Sequence, residues 1–234
     1  MAGGTKGNII ITGASGNLGR VVVPWFLQKG YSVFATVSSD ASVKNLPKHE
    51  NLLLEKVNLK IAAESQAFLG KVKKEINQID AAFFLAGGYA GGNVFSTSLN
   101  KIHEQIALNF DTAYNLLQPV FSLMMEQKQG RIVLVGARPA LQAADGAKML
   151  AYGLSKSMLV KLAEYLNAEA KGTNVTTTVI IPSTIDTEDN RKAMPIADTE
   201  NWVSPEHISE ILEFLLSKPA SSLRETVLKV YNRS

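Results

Sequence analysis

Tyr152 and Lys156 lie four residues apart in the run MLAYGLSKSM from Met149 to Met158, whose apolar spacing predicts a helix. Side chains four apart on a helix share one face. A phenol beside an ammonium suits proton transfer, because the cation favours the phenolate and lowers a pKa that starts near ~10. General acid–base catalysis works best when that pKa approaches the working pH. The pair alone is weak, since the chain holds 6 Tyr and many Lys, and a packed Tyr beside a solvated Lys has the same spacing. Its meaning rests on the elements that hold it.

Short β-branched runs alternate with longer amphipathic stretches along all 234 residues. Strands are predicted at 8–12, 32–37, 52–57, 81–85, 131–135, 175–181 and 226–230, with helices between them. Several of these strands are apolar throughout, as when both faces of a parallel sheet are covered. The expected fold class is α/β: a single doubly wound, Rossmann-type parallel sheet of about seven strands with helices on both faces. One domain is expected over 1–234, with a small lid at about 186–202. A helix at 149–171 carries the Tyr/Lys pair near its start, has Leu154, Met158, Leu162 and Leu166 at helical spacing, and stops before Gly172, a C-cap choice.

Composition excludes several function classes. A hydrophobic fraction of 46% with 19% charged residues is ordinary globular composition. The net charge of +3 is dispersed, so no stripe for nucleic acid is present, and no apolar run reaches membrane-spanning length. The absence of Cys removes disulfides, a thiolate nucleophile and thiolate metal sites, and His49, His103 and His207 have no metal-ligand spacing. A cytoplasmic protein acting on a small molecule is the expectation.

The run TGASGNLG from Thr12 to Gly19 follows the first strand and opens the first helix. Glycines there let backbone approach a pyrophosphate, while the helix N-terminus supplies oriented N–H groups for the anion. Gly13, Ser15, Gly16, Asn17, Leu18 and Gly19 are the candidate phosphate-binding residues; a plain tight turn is the alternative.

With these motifs in hand, the chain resembles the short-chain dehydrogenase/reductase family over nearly its whole length. The glycine loop, an Ala86-Gly87-Gly88 turn after the fourth strand, Asn109 in a helix, then Tyr152 and Lys156 occur in the family's order. The resemblance implies an NAD(P)-dependent oxidoreductase in which Tyr152 is the general acid/base, Lys156 lowers its pKa and binds the nicotinamide ribose, and Asn109 holds a relay water. It also implies a homodimer or homotetramer built on the helices near Asn109 and Tyr152.

Departures from the pattern are informative. Asn17 stands where the usual TGxxxGxG has Gly, Leu85 replaces the Asn of Asn-Ala-Gly, and Ala137 occupies the place of a catalytic Ser. A hydroxyl that polarises a carbonyl contributes a few kcal/mol to a transition state, so an ordinary ketone is a poor substrate without it. The quinonoid dihydropteridine reductase subgroup lacks that Ser, and three segments here are similar to it: AGGYAGGN from Ala86, Gly136-Ala137 leading to Ala140-Leu141, and 185–198. Its substrate is an already polarised conjugated ring. The alternative implied by Ala137 is a dinucleotide-binding regulatory or scaffold protein with weak or lost activity.

For the coenzyme, the second strand ends at Val37 without the carboxylate that NAD-preferring members use, and Ser38 and Ser39 with Arg20 or Lys44 suit a 2′-phosphate. This tilts the choice to NADP, with NAD left open through Asp40. The resemblance adds Asn58 and Leu59 beside the adenine and Pro182, Thr184 and Thr187 around the nicotinamide. Tyr89, Ala137, Arg191 and Trp202 are candidate substrate contacts.

Overall fold

The computed structural model describes residues 5–39, 43–44 and 46–232. Seven parallel strands form one sheet in the order β3-β2-β1-β4-β5-β6-β7. They are β1 (Asn8–Thr12), β2 (Ser32–Val37), β3 (Leu52–Lys56), β4 (Ala81–Phe84), β5 (Gln129–Val135), β6 (Asn174–Pro182) and β7 (Val227–Val230). The predicted strands are all present. The fifth begins two residues earlier than expected because Gln129 and Gly130 pair with Asn174 and Val175.

Alternation along each strand sends residues to two cores. Ile9 and Ile11 of β1 face α1 (Gly19–Gln28), whose Val22, Val23 and Phe26 are buried with Ile208 and Leu212 of the helix Pro205–Leu216. Ile10 faces the opposite layer, built by Phe68 and Val72 of α2 (Ala62–Glu75) with Leu116, Leu117, Leu159 and Ala163. Helices thus cover both faces, which is why the central strands are apolar throughout.

On that second layer, α3 (Leu99–Ile106) runs through a π-helical turn, Ala107–Asp111, into α4 (Thr112–Gln127). After β5 come a 3-10 turn, Arg138–Ala140, the short α5 (Ala143–Gly146) and α6 (Leu150–Glu169). Gly172 has φ +88°, the left-handed conformation that glycine adopts without strain just past a helix end. Residues beyond β6 make an excursion whose ends meet: Ile185 bridges Val203, and the Asp186 N–H donates to the Val203 carbonyl at 2.8 Å. It contains α7 (Glu188–Ala193), and α8 (Pro205–Leu216) follows, with Ser204 capping its start. Among the described residues no helix is long and apolar enough to cross a membrane.

Strand order reverses between β1 and β4. In open α/β sheets, ligands bind at this switch point, beyond the carboxyl ends of the strands.

Candidate active site

The turn after β1 is built by glycine where nothing larger fits. Gly13 has φ +66°, and a Cβ there would lie 2.8 Å from the backbone N and Cα of Ala86. A Cβ on Gly19 would strike the Gly13 carbonyl. The β1 turn and the Ala86–Gly88 turn therefore touch backbone to backbone, tied further by the Ala86 N–H to Thr12 Oγ1 at 3.2 Å. The start of α1 carries no acidic residue in its first turn. A turn kept to bare backbone at Gly13 and Gly19, at a helix N-terminus, fits the pyrophosphate of a dinucleotide.

Asn109 sits in the π-helical turn and is fully buried. One extra residue in that turn is the local irregularity often found at functional sites. Its amide clamps Gly88 from both sides: Oδ1 accepts from Gly88 N–H and Nδ2 donates to Gly88 C=O, each at 3.0 Å. Nδ2 also reaches Ser155 Oγ at 3.1 Å and Gln105 Oε1 at 3.2 Å. Ser155 in turn donates to the Tyr152 carbonyl at 2.8 Å. Asn109 thus joins the glycine turn after β4 to the helix bearing the Tyr/Lys pair. Ser155 and Gln105 carry this link and were not singled out in the sequence. Their signal was spacing: Gln105 is one helical turn before Asn109, and Ser155 lies between Tyr152 and Lys156.

Lys156 is buried, and its Nζ donates to the Val135 carbonyl at 2.8 Å. It stands 5.9 Å from the Tyr152 ring centroid, and a Cβ on Gly87 would come within 3.2 Å of Nζ. The Tyr152 ring packs edge-on against Tyr89, with centroids 5.4 Å apart and planes at 73°. The expected lowering of the phenol is corrected here. Burial, with a smaller contribution from Tyr89, pushes Tyr152 up to about 12. Burial likewise brings the Lys156 ammonium down to about 8. Desolvation outweighs the cation because the ammonium is turned to the Val135 carbonyl rather than to the phenol.

Ala137 follows β5 and is 7% exposed, beginning the turn whose Pro139 carbonyl lies against Gly153, next to Tyr152. The other sequence-derived residues take varied positions. Asn58 forms a turn before α2, its N–H donating to Glu64 Oε2 at 2.7 Å and its Oδ1 accepting from Lys60 N–H at 3.2 Å. Leu59 is buried, and its carbonyl accepts from Asn115 Nδ2 at 2.9 Å. Ser38 and Ser39 directly follow β2; Asp40 lies outside the described residues. Pro182 ends β6, the Thr184 carbonyl accepts from Val203 N–H, and the Thr187 hydroxyl caps α7 by accepting from Asn190 N–H at 3.2 Å. Ser15, Gly16, Asn17 and Leu18 complete the glycine turn.

Two substrate candidates have structural partners. The Arg191 guanidinium makes a two-point pair with Asp186, at 2.6 and 2.7 Å. Trp202 lies at the far end of the excursion, its carbonyl accepting from Asn232 Nδ2 at 3.3 Å.

The short chain dehydrogenase family model matches residues 7–196, and the chain belongs to that family. It is 29% identical over 208 residues to a dihydropteridine reductase of Dictyostelium discoideum, covering 88% of this chain and 85% of the relative. Among solved structures, a serine dehydrogenase complexed with NADP+ superposes with a TM-score of 0.84 at 20% identity, over 95% of this chain and 94% of that one. A 3-ketoacyl-(acyl-carrier-protein) reductase from Brucella melitensis complexed with NADH gives 0.83 at 16% identity, over 97% of each chain. The protein is an NAD(P)-dependent oxidoreductase of the short-chain type.

Proposed function

We propose that this enzyme reduces a small conjugated substrate of the dihydropterin type, with Tyr152 as proton donor and no serine assisting. The observation that carries this reading is Ala137, a buried methyl next to the Tyr152 helix where a carbonyl-reducing member needs a hydroxyl. A substrate that is already polarised does not require that donor. The similarity to a dihydropteridine reductase supports the same substrate class.

When bound, the nicotinamide supplies the hydride. The protein's own groups do the rest. Tyr152, held protonated by burial, keeps its proton until negative charge develops on the substrate, which favours reduction as the working direction. Lys156, charged below about 8, strengthens that donor and lies where a ribose hydroxyl can reach it beside the bare Gly87. Asn109 holds Gly88 and Ser155 in place, and so sets the depth of the cleft. The 186–202 excursion serves as the lid, closing over substrate from the side of the glycine turn.

The same reading takes NADP as the preferred coenzyme, because Ser38 and Ser39 stand where a carboxylate would repel a 2′-phosphate. It places the enzyme in the cytoplasm as a homodimer or homotetramer, supported by Tyr114, Leu154 and Tyr165 exposed on α4 and α6. Coenzyme oxidation with quinonoid 6-methyl-dihydropterin, against a panel of ketones, tests the assignment. Pterin turnover is expected to exceed ketone turnover, and Tyr152→Phe to lower kcat/KM by about 10²–10⁴ with coenzyme affinity unchanged. A Phe variant at the wild-type rate removes Tyr152 from the role, and preference for ketones removes the pterin.

A further inference from the structure

Among the described residues, one hydrogen bond joins α7 to the body of the protein: Asn17 Nδ2 donates to Asp189 Oδ2 at 2.8 Å. No residue of α7 is buried, and its other side-chain pairs stay within the excursion: Arg191 with Asp186, Asn190 Nδ2 with the Ile185 carbonyl, and Lys192 with Glu188. Ile196, after α7, is 99% exposed and adds no packing. Arg20, in the first turn of α1, supplies a weaker attraction: Glu188 is drawn below the usual carboxylate range chiefly by Lys192 and in small part by Arg20. The neck of the excursion, by contrast, is firm. Val203 is buried, and its N–H donates to the Thr184 carbonyl at 2.9 Å.

These two attachments stand on opposite sides of the switch point. The neck follows β6 and Asn17 follows β1, which in the order β1-β4-β5-β6 are three strand spacings apart, roughly 14 Å. The excursion therefore bridges the carboxyl ends of β4 and β5, where the Ala86–Gly88 turn and Lys156 stand. Glycine, the family's usual residue at 17, has no side chain with which to make the bond. An exposed hydrogen bond shifts an equilibrium by about three- to tenfold, which keeps a strap shut most of the time without locking it.

We infer that Asp189 is the latch of a strap across the coenzyme cleft. The dinucleotide enters and leaves when the Asn17–Asp189 bond is open, so Asp189 sets the rates of coenzyme exchange more than the affinity. This rests on the lid reading above and extends it from substrate to coenzyme, and it is tested with the coenzyme alone.

Stopped-flow fluorescence follows NADPH binding to the free enzyme, and its release on displacement by excess NADP+. Asp189→Ala is expected to raise the association and dissociation rates together, by about three- to tenfold each, with their ratio within about threefold of wild type. Asp189→Asn, which keeps an acceptor for Asn17 without the charge, should lie closer to wild type than to Asp189→Ala. In an Asn17→Gly background, Asp189→Ala should add no further rise, because the partner is already gone. Wild-type rates in Asp189→Ala overturn the latch. So does an Asp189→Asn enzyme that matches Asp189→Ala, which makes charge beside the phosphates the cause, and so does a rise that persists without Asn17. If the rates behave as expected while the KM for substrate is the same in Asp189→Ala and wild type, the lid over substrate falls and the latch stands.

Discussion

Asn17 Nδ2 donates to Asp189 Oδ2 at 2.8 Å, joining the glycine turn to α7 across 172 positions of sequence. The residue that departs from the family's glycine pattern therefore ties the excursion to the glycine turn. Replacing Asn17 by Gly is expected to leave stability within about 1 kcal/mol, because the pair is exposed. Amide exchange across 188–193 should quicken several-fold, with a rise in KM for substrate larger than any change in kcat. Exchange indistinguishable from wild type would show that the bond does not position the lid.

Burial of Lys156 carries a pH dependence of stability. Its pKa is about 8 folded against an ordinary 10.5, so in that window the unfolded chain keeps a proton the folded protein has released. Stability therefore rises with pH across that window. Tyr152 acts oppositely: at about 12 folded against 10.0, it retains a proton the unfolded chain loses, and stability falls above 10.0. Denaturant unfolding of wild type and Lys156→Met from pH 7 to about 10 checks this. The difference between them should grow in favour of wild type; parallel curves refute it. For the same reason reductive kcat/KM should decline as Lys156 loses its charge above about 8.

Removing the Asn109 amide leaves Gly88 N–H and Gly88 C=O without their partner and takes from Ser155 Oγ the bond it accepts. Asn109→Ala is expected to cost about 2–3 kcal/mol, or roughly 4–12 °C in Tm for a chain of this size. A melting curve within a degree of wild type would mean that water replaces the amide without loss.

Ala137→Ser supplies the hydroxyl the family usually has at this place. If the substrate needs no such donor, pterin reduction should stay within a few-fold while turnover of simple ketones rises by about tenfold or more. Equal gains on both substrates would contradict the explanation given for Ala137.

Much of the scaffold was legible in local chemistry. Apolar β-branched runs bounded by Gly marked the strands to within a residue or two, because a strand buried on both faces tolerates little else. Gly13 and Gly19 were readable as a tight turn since their spacing follows a strand and opens a helix. The helical positions of Tyr152, Lys156 and Asn109 were legible from order and spacing. Asn58 was read from its place after the third strand and Arg191 from its chemical type, and the structure gives each side chain a nearby partner, Lys60 N–H and Asp186. Type does not reveal whether a polar group is already satisfied.

The sequence by itself determined the parallel sheet, the glycine cradle and the shared face of Tyr152 and Lys156, all consequences of short-range geometry. Only the tertiary structure decided the protonation of that pair, since a pKa depends on everything packed around the group: the Val135 carbonyl that takes the Lys156 ammonium, and the burial that keeps the Tyr152 proton in place. It alone also brought Asn17 to Asp189 and Arg138 to Tyr231, contacts between segments more than ninety positions apart that no local pattern encodes.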